Sequence, residues 1–196
     1  MSYMLTSHFF SVLIAFALFG AMHSIFAIPA VRVALESRLR LSAKRYRLLY
    51  NIASAILLAL IYVVVPPDPA ILYVIAGLPG HLLRALQVVA VVLFVRGLRD
   101  FNSHAFLGLS PPGADDFNTG GLFRYCRHPL YSTSILFLIA NPVMTIGWAA
   151  YSMSIILYFI IGSIFEEHHL EKRFGHAYRA YKKKVPRFVP KLSRSG

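Results

Sequence analysis

Charged residues and cysteines are both scarce in this sequence, and each shortage excludes a class of protein. Only 14% of the residues are charged, against roughly 25% in an average soluble domain. This excludes an ordinary soluble globular domain and a disordered chain. The single cysteine, Cys126, excludes an intrachain disulfide and a metal cluster built from several cysteines. The sequence also lacks Gly-x-Gly-x-x-Gly after a strand and a Walker A motif, so it has no separate nucleotide-binding fold of those types.

The sequence is correspondingly rich in apolar residues. Hydrophobic residues make up 57% of the 196 residues, and the mean hydropathy is +0.61. Apolar runs near 20 residues recur, and a helix of about that length crosses the roughly 30 Å hydrocarbon core of a bilayer. We predict an all-α polytopic membrane bundle, a single domain over residues 1–196, with about five transmembrane helices and a C-terminal amphipathic helix. The predicted spans are residues 9–31, 46–65, 82–98, 130–141 and 143–165.

Prolines and glycines mark the predicted connections between these spans. The second span stops at Pro66-Pro67-Asp68-Pro69, and the apolar residues 70–78 that follow are too few to cross, so we expect a re-entrant or interfacial piece. Residues 130–165 would be about 54 Å long as one helix, which is too long for one crossing. We therefore predict a helical hairpin, with its turn at Asn141-Pro142, because proline disfavours helix at the preceding residue, or at Gly147.

Lysine and arginine are distributed asymmetrically along the chain. Nineteen of the 20 lie in the connections after the first and third predicted spans, at the span ends that border these connections (Arg47 and Arg96), or between Lys172 and Arg194, and Arg84 is the exception. Because positive residues favour the cytoplasmic side, we predict an N-terminus outside and a C-terminus inside, in the inner membrane of a bacterium or archaeon. The net charge of +12 then reflects topology and attraction to membrane lipids rather than nucleic-acid binding.

The tail, residues 166–190, has the pattern of an amphipathic helix. One interpretation is a helix that lies in the headgroup plane. The other is that this helix also packs over a functional site as a lid or wall. The apolar positions are Leu170, Phe174, Tyr178 and Tyr181, and the basic positions between them are Lys172, Arg173, Arg179 and Lys182.

Polar residues cluster at the two ends of the predicted hairpin. Arg127, His128 and Tyr131 stand at the start of its first arm, and Glu166 and Glu167 follow its second arm. A hairpin returns both ends to one face, so we expect these side chains to lie near one another. The two glutamates are about 100° apart on a helix, so one can face the cleft while the other faces basic loops.

Proline is favourable as the first residue of a helix, so we expect the first arm to begin at Pro129. Its free N–H groups then point toward Arg127 and His128 and attract an anionic group.

The order and spacing of these residues resemble a known group of enzymes. Arg127-His128-Pro129-Leu130-Tyr131, then Glu166-Glu167, then Phe174-Gly175-x-x-Tyr178-x-x-Tyr181 resemble the isoprenylcysteine carboxyl methyltransferase and phospholipid N-methyltransferase superfamily of membrane proteins. Thr133 departs from the pattern, because many members have glycine there. The chain is most similar to the bacterial branch that includes methanethiol S-methyltransferases and nitric-oxide-reduction accessory-type proteins. The segments that carry this finer likeness are His23-Ser24, Tyr46–Asn51, Ala140–Thr145 and Val185-Pro186.

The resemblance implies a methyltransferase with S-adenosyl-L-methionine as methyl donor and no metal. The implied acceptor is a lipophilic small molecule or a lipid-borne group: an isoprenylcysteine carboxylate, a thiol or a lipid amine. The donor would enter from the cytoplasm and the acceptor from the bilayer. Carried over residue by residue, the catalytic residues would be Arg127 and Glu167, and the cofactor-binding residues His128, Pro129, Leu130, Tyr131, Glu166, Glu167 and Tyr178.

A non-enzymatic membrane protein that handles haem or assists assembly is the alternative. His23, His81 and His104 are its candidate ligands, and haem ligation requires histidines that face each other at matched depth. A Soret band in the purified protein would favour this alternative. Methyl-donor binding that disappears in a Glu166, Glu167 or His128 variant would favour the enzyme.

Overall fold

Helices account for most of the chain that the structure describes. The structure is a computed structural model that describes residues 2–100 and 118–191, with side chains from Ser7 onward. Its helical architecture confirms the predicted all-α class, apart from two short strands. The helices are α1 (Ser2–Ala27), α2 (Pro29–Arg38), α3 (Ala43–Val64), α4 (Gly77–Asp100), α5 (Pro129–Ile139), α6 (Ile146–Phe174) and α7 (His176–Lys184), and the strands are β1 (Ile71–Val74) and β2 (Val143–Thr145).

Four helices of the described chain are long and apolar enough to cross a membrane: α1 from Ser7, α3, α4 and α6. Helix α5 is apolar but has only 11 residues, which makes it about 16 Å long and about half as long as the hydrocarbon core is thick. Helix α6 has 29 residues. Its apolar part ends at Phe165, and the charged part that follows continues the same helix beyond the length of one span.

The connection expected to be a re-entrant or interfacial piece and the expected turn of the helical hairpin each contain a short strand. Strands β1 and β2 form a two-stranded sheet. At its ends the N–H of Ile75 donates to the carbonyl of Pro142, and the N–H of Ile146 donates to that of Ala70, both at 2.8 Å. β-Branched and aromatic residues favour a strand. Pairing also gives each short segment the backbone hydrogen bonds that an isolated extended segment near lipid would lack.

The described residues form two compact units. The first unit comprises residues 2–72 and 145–155, and the second comprises residues 73–100, 118–144 and 156–191. In the first unit, a tyrosine near the start of α3 forms a hydrogen bond with the end of α1. The hydroxyl of Tyr46 donates to the carbonyl of Phe26 at 2.8 Å. In the second unit, α4 packs against α5, and the side-chain amide of Gln87 donates to the carbonyl of Phe137 at 3.1 Å.

Tyr151 lies in the hydrophobic core of the first unit. It is 7% exposed, beside the fully buried Val12, and its ring meets that of Phe16 edge to face at 5.6 Å. Its hydroxyl lies 2.7 Å from the carbonyl oxygen of Val65 and 3.2 Å from that of Ile61. The last carbonyls of a helix have no partner within it, so Tyr151 satisfies backbone at the end of α3.

The variant Tyr151→Phe is expected to lower the free energy of unfolding by about 1–2 kcal/mol, because it leaves the partly buried carbonyl of Val65 without the Tyr151 donor. Thermal unfolding in detergent micelles, followed by circular dichroism, measures the effect. Tyr73→Phe is the matched control, since the Tyr73 hydroxyl donates to the carbonyl of Asn141 from an exposed position. Equal effects of the two substitutions would contradict the assignment of Tyr151 as a buried cap.

Candidate functional site

The backbone that leads into the site is fixed at the end of α4. Residues Gly121–Arg124 form one turn of 3₁₀ helix. The carboxylate of Asp100 accepts a hydrogen bond from the N–H of Leu122 at 3.1 Å, and its carbonyl accepts one from the side chain of Asn118. Gly121 has a φ of 53°, and a Cβ there would overlap the carboxylate of Asp100. Glycine is therefore required where the chain turns toward α5.

Helix α5 begins at Pro129, as predicted, with His128 as the residue before it and no side chain capping its first N–H groups. Pro129 is buried and Leu130 is half-buried. Thr133 stands where many members of the superfamily that the motif resembles have glycine. It is 7% exposed. Its hydroxyl donates to the carbonyl of Pro129 at 2.9 Å. The threonine is thus accommodated by its own helix.

Residues 185–191, which we call the C-terminal segment, lie against the start of α5. The N–H of Arg127 donates to the carbonyl of Pro186 at 2.8 Å, and the N–H of His128 donates to the carbonyl of Arg187 at 3.1 Å. Further along, the hydroxyl of Ser132 donates to the carbonyl of Phe188 at 2.8 Å. These bonds hold the C-terminal segment to the residues of the sequence motif.

Glu167 is the buried centre of a group of polar and charged side chains, which we call the Glu167 cluster (Arg127, His128, Glu167, Lys182 and Arg187). Its side chain is 1% exposed. Nη2 of Arg127 lies 2.8 Å from Oε1, and Nη2 of Arg187 lies 2.9 Å from Oε2. Nε2 of His128 lies 3.2 Å from Oε1, and Nζ of Lys182 lies 3.4 Å from Oε2. Both carboxylate oxygens are therefore surrounded by protein donors.

The cations of the Glu167 cluster have further partners of their own. Arg127 donates through Nη1 to the carbonyls of Lys182 and Val185. Lys182 is also paired with the carboxylate of Glu171, and the hydrogen bond with Glu171 is the main cause that raises the pKa of Lys182. A buried ion pair is stable only when such extra hydrogen bonds offset the loss of water, and the cluster meets that condition.

Glu166 has a different environment from its neighbour. Its side chain is 46% exposed, and its Oε2 lies 3.6 Å from Nδ1 of His128 and accepts a hydrogen bond from the hydroxyl of Tyr131 at 3.1 Å. The sequence left open which of the two glutamates faces inward. In the structure Glu167 faces the cations of the Glu167 cluster, and Glu166 faces outward beside Tyr131.

Burial lowers the pKa of His128, and this effect outweighs the opposing attraction of Glu166 and Glu167. The imidazole is therefore neutral at physiological pH and carries one N–H. We place that proton on Nε2, which makes the shorter contact with Glu167. Nδ1 is then an acceptor next to the carboxylate of Glu166, so the site offers two neighbouring acceptors to a ligand that donates hydrogen bonds.

Aromatic rings form a flat stack beside these acceptors. The rings of His128 and Tyr131 are parallel within 2°, with centroids 5.3 Å apart. The rings of Tyr131 and Phe159 are within 8° of parallel, with centroids 4.6 Å apart. Rings stacked on one another in this way have little freedom to turn, so the Tyr131 hydroxyl and the His128 imidazole are presented in fixed directions.

Helix α7 covers the site from the tail side. Tyr178 is 1% exposed, and burial is the main cause that raises its pKa, so its phenol stays protonated. The ring of Tyr181 lies 5.9 Å from that of Tyr178, and its hydroxyl donates to the carbonyl of Phe123 at 2.6 Å. These contacts favour the interpretation of the tail helix as a wall of the site.

The structure thus brings the predicted site residues together, but sequence analysis missed two members of the Glu167 cluster. Lys182 and Arg187 lie 15 and 20 residues after Glu167 in the chain. Pro186 interrupts the helical spacing between the tail helix and Arg187, so periodicity gives no hint of the contact. The available signal was electrostatic, since a carboxylate buried near hydrocarbon needs cations.

Two of the three histidines of the haem alternative are described by the structure, and neither belongs to the Glu167 cluster. His23, in the first unit, is within 2.9 Å of the Ser54 hydroxyl through Nδ1, and its ring lies 4.6 Å from that of Tyr50. His81 is an exposed residue of α4 in the second unit. His104 lies outside the described residues.

A match over most of the chain identifies the family. A family model described as NnrU protein matches residues 11–188. The chain belongs to the NnrU protein family. The sequence motif predicted a resemblance to membrane methyltransferases. The names of similar proteins, given below, confirm that resemblance. No solved structure matches the NnrU-family chain.

Several relatives of this NnrU-family protein carry methyltransferase names, including the following three. Methanethiol S-methyltransferase 2 of Bradyrhizobium diazoefficiens is 26% identical over 189 residues, which cover 92% of this chain and 72% of the relative. Methanethiol S-methyltransferase 1 of the same organism is 30% identical over 131 residues, covering 66% and 45%. Protein-S-isoprenylcysteine O-methyltransferase B of Arabidopsis thaliana is 32% identical over 75 residues, covering 37% and 38%. The chain thus spans less than half the length of the second and third relatives.

Proposed function

We propose that this NnrU-family protein is an integral-membrane methyltransferase that uses S-adenosyl-L-methionine and methylates a small lipophilic or lipid-borne acceptor. The relatives' names and the four helices long enough to cross a membrane support the enzyme class. The observation that carries the proposal is the position of the Glu166 carboxylate, whose Oε2 lies 3.6 Å from Nδ1 of His128 and accepts a hydrogen bond from the Tyr131 hydroxyl.

The chemistry of these groups fits the methyl donor. Its ammonium group and ribose hydroxyls donate hydrogen bonds, which the carboxylate of Glu166 and the imidazole of His128 can accept. Its carboxylate suits the uncapped N-terminus of α5, where the first N–H groups follow Pro129. When bound, it supplies an electrophilic methyl group on a positively charged sulfur. Pro129, Leu130 and Tyr131 would then form the wall against which it lies.

Arg127 and Glu167, the residues that the resemblance assigns to catalysis, are proposed here to act by positioning. Both are saturated by partners within the protein. Glu167 holds the Nε2 proton of His128 and thereby turns Nδ1 toward Glu166. Arg127 fixes the C-terminal segment through its side chain and its backbone. Tyr178 supports the cluster from α7 without being ionised.

The remaining task of such an enzyme is alignment. Methyl transfer is an in-line displacement, so the rate depends on holding the acceptor atom, the methyl group and the sulfur in a line with little water present. The rigid stack of His128, Tyr131 and Phe159 is suited to that task. We propose that the donor reaches it from the cytoplasm, the side to which the lysine and arginine distribution assigns these residues, and the acceptor from the bilayer.

The variant Glu166→Gln is expected to weaken donor binding at least about tenfold, which equals about 1.4 kcal/mol, because it replaces a charged acceptor by a neutral amide. The unfolding temperature should stay unchanged, since this side chain is half-exposed. Isothermal titration with S-adenosyl-L-homocysteine in micelles measures the affinity. His168→Gln, an exposed neighbour on the same helix, is the control.

Two results would contradict the proposal. One is wild-type protein that does not bind the donor or its demethylated product. The other is a Glu166→Gln variant that binds as tightly as wild type. A screen with labelled donor against a small thiol, a prenylated cysteine and a lipid amine then tests the acceptor class.

A further inference from the structure

A cavity lies in the first unit, and none of the residues that line it belongs to the proposed methyltransferase site. It measures about 300 Å³ and lies where α1 ends and α3 begins. Its walls are held firmly: the hydroxyl of Tyr46 donates to the carbonyl of Phe26 at 2.8 Å, and that of Tyr50 donates to the carbonyl of His23 at 3.1 Å. The cavity is therefore a built feature of α1 and α3.

Cationic and amide side chains line this cavity together with the tyrosines. They are Arg32, Arg47 and Asn51. Arg32 contacts Glu36 through Nε at 3.1 Å and is 40% exposed. A guanidinium has five N–H donors, so this ion pair does not exhaust it. Residues 32–47 contain six basic residues and one acidic residue, so the surrounding potential favours an anion.

An apolar groove of about 250 Å³ lies along the same two helices. Leu18 and Met22 line it from α1, and Leu57 and Val64 line it from α3. On α1, Met22 and Leu18 precede Phe26 of the arginine-lined cavity by four and eight residues, so they share one helix face with it. On α3, Leu57 follows Tyr50 of the cavity by seven residues, which places it on the same face about 10 Å farther along the axis.

We propose that the first unit binds one anionic phospholipid here, with its phosphate in the arginine-lined cavity and an acyl chain in the apolar groove. An arginine-lined cavity and an apolar groove on the same face of one helix pair match an amphiphile, and a phosphate alone would use only the cavity. The two arginines favour a lipid with net negative charge over a zwitterionic one, whose cationic head would lie beside them. A guanidinium also binds phosphate through two parallel hydrogen bonds. This binding does not depend on the proposed methyl transfer.

The test uses the full chain, delipidated in detergent, with phosphatidylglycerol, phosphatidylcholine and inorganic phosphate as separate probes. Native mass spectrometry and thermal unfolding are the two readouts. We expect one phosphatidylglycerol per chain and a raised unfolding midpoint, with at least tenfold weaker binding of phosphatidylcholine. Equal binding of the two lipids would overturn the proposal. Inorganic phosphate that reproduces the full shift would overturn it in favour of a free-anion site.

Variants locate the binding. The double variant Arg32→Gln/Arg47→Gln is expected to bind phosphatidylglycerol at least tenfold more weakly. Arg38→Gln removes a charge of the same sign from an exposed position of α2 outside the cavity, and it should bind as wild type. An equal loss in Arg38→Gln would overturn the site. Should the double variant not fold, Arg47→Lys keeps the charge and loses the paired hydrogen bonds, so unchanged binding in it overturns the proposal as well.

Discussion

Replacing Glu167 with alanine is expected to lower the free energy of unfolding by about 3–5 kcal/mol, the range measured when one partner of a buried ion pair is removed. The carboxylate is 1% exposed and lies within 3.4 Å of cationic nitrogens of Arg127, Arg187 and Lys182. Without it, three positive charges lie close together and lose the carboxylate that they share, and the buried Arg127 loses its ion pair. Donor binding should be lost as well, because His128 loses the acceptor that sets its tautomer.

Denaturant titration in micelles measures this stability change, and Glu166→Ala is the matched control on the adjacent residue. Glu166 is half-exposed, so its removal should change the unfolding midpoint little. Glu167→Gln should fall between the two, since it keeps the shape and loses the charge. A Glu167→Ala protein as stable as Glu166→Ala would show that the Glu167 cluster does not stabilise the fold.

The second large effect is expected at Gly147, the second residue of α6. A Cβ at this position would overlap the backbone of Pro67 and Asp68, and the N–H of Gly147 donates to the carbonyl of Asp68 at 3.0 Å. Backbone atoms held by a hydrogen bond and a proline ring do not move aside as a flexible side chain does. Gly147→Ala should therefore destabilise the protein by about 1–3 kcal/mol, as forced overpacking does.

Gly162 offers a matched control in the same helix. A Cβ there meets nothing within 4 Å, and alanine is favoured over glycine within a helix by about 1 kcal/mol. Gly162→Ala should therefore be neutral or stabilising, opposite in sign to Gly147→Ala. Thermal unfolding of both variants measures the difference. A Gly147→Ala variant that unfolds at the wild-type temperature would contradict the close approach of α6 to Pro67.

The helical part of the fold follows from the sequence because long apolar runs have one low-energy form in a bilayer. The residue ranges of helices α3 and α4 include nearly all of the apolar runs from which they were predicted. The strands β1 and β2 were not predicted because they have four and three residues, too few for alternation to be recognised. Their pairing is also a contact between distant parts of the chain, which a local pattern does not reveal.

The site was predictable to the extent that its residues are neighbours in sequence. The string from Arg127 to Tyr131 forms one helix start, so its members are brought together by local structure alone. The different environments of Glu166 and Glu167 were not predictable, because a rotation of about 100° decides which one is buried, and that rotation depends on Arg187 and Lys182. The role of Arg187 depends on a turn after α7 that carries no periodic signal.

The bonds between the C-terminal segment and the start of α5 have a consequence for biosynthesis. The ribosome makes Arg127 and Glu167 before it makes Pro186 and Arg187, so the carboxylate acquires its last guanidinium only when translation has passed position 187. A product that stops earlier leaves the backbone N–H groups of Arg127 and His128 without these acceptors and the carboxylate of Glu167 without one of its cations. Such a product is a substrate for proteolytic quality control, so shortened chains are expected to be cleared rather than to accumulate with a half-built site.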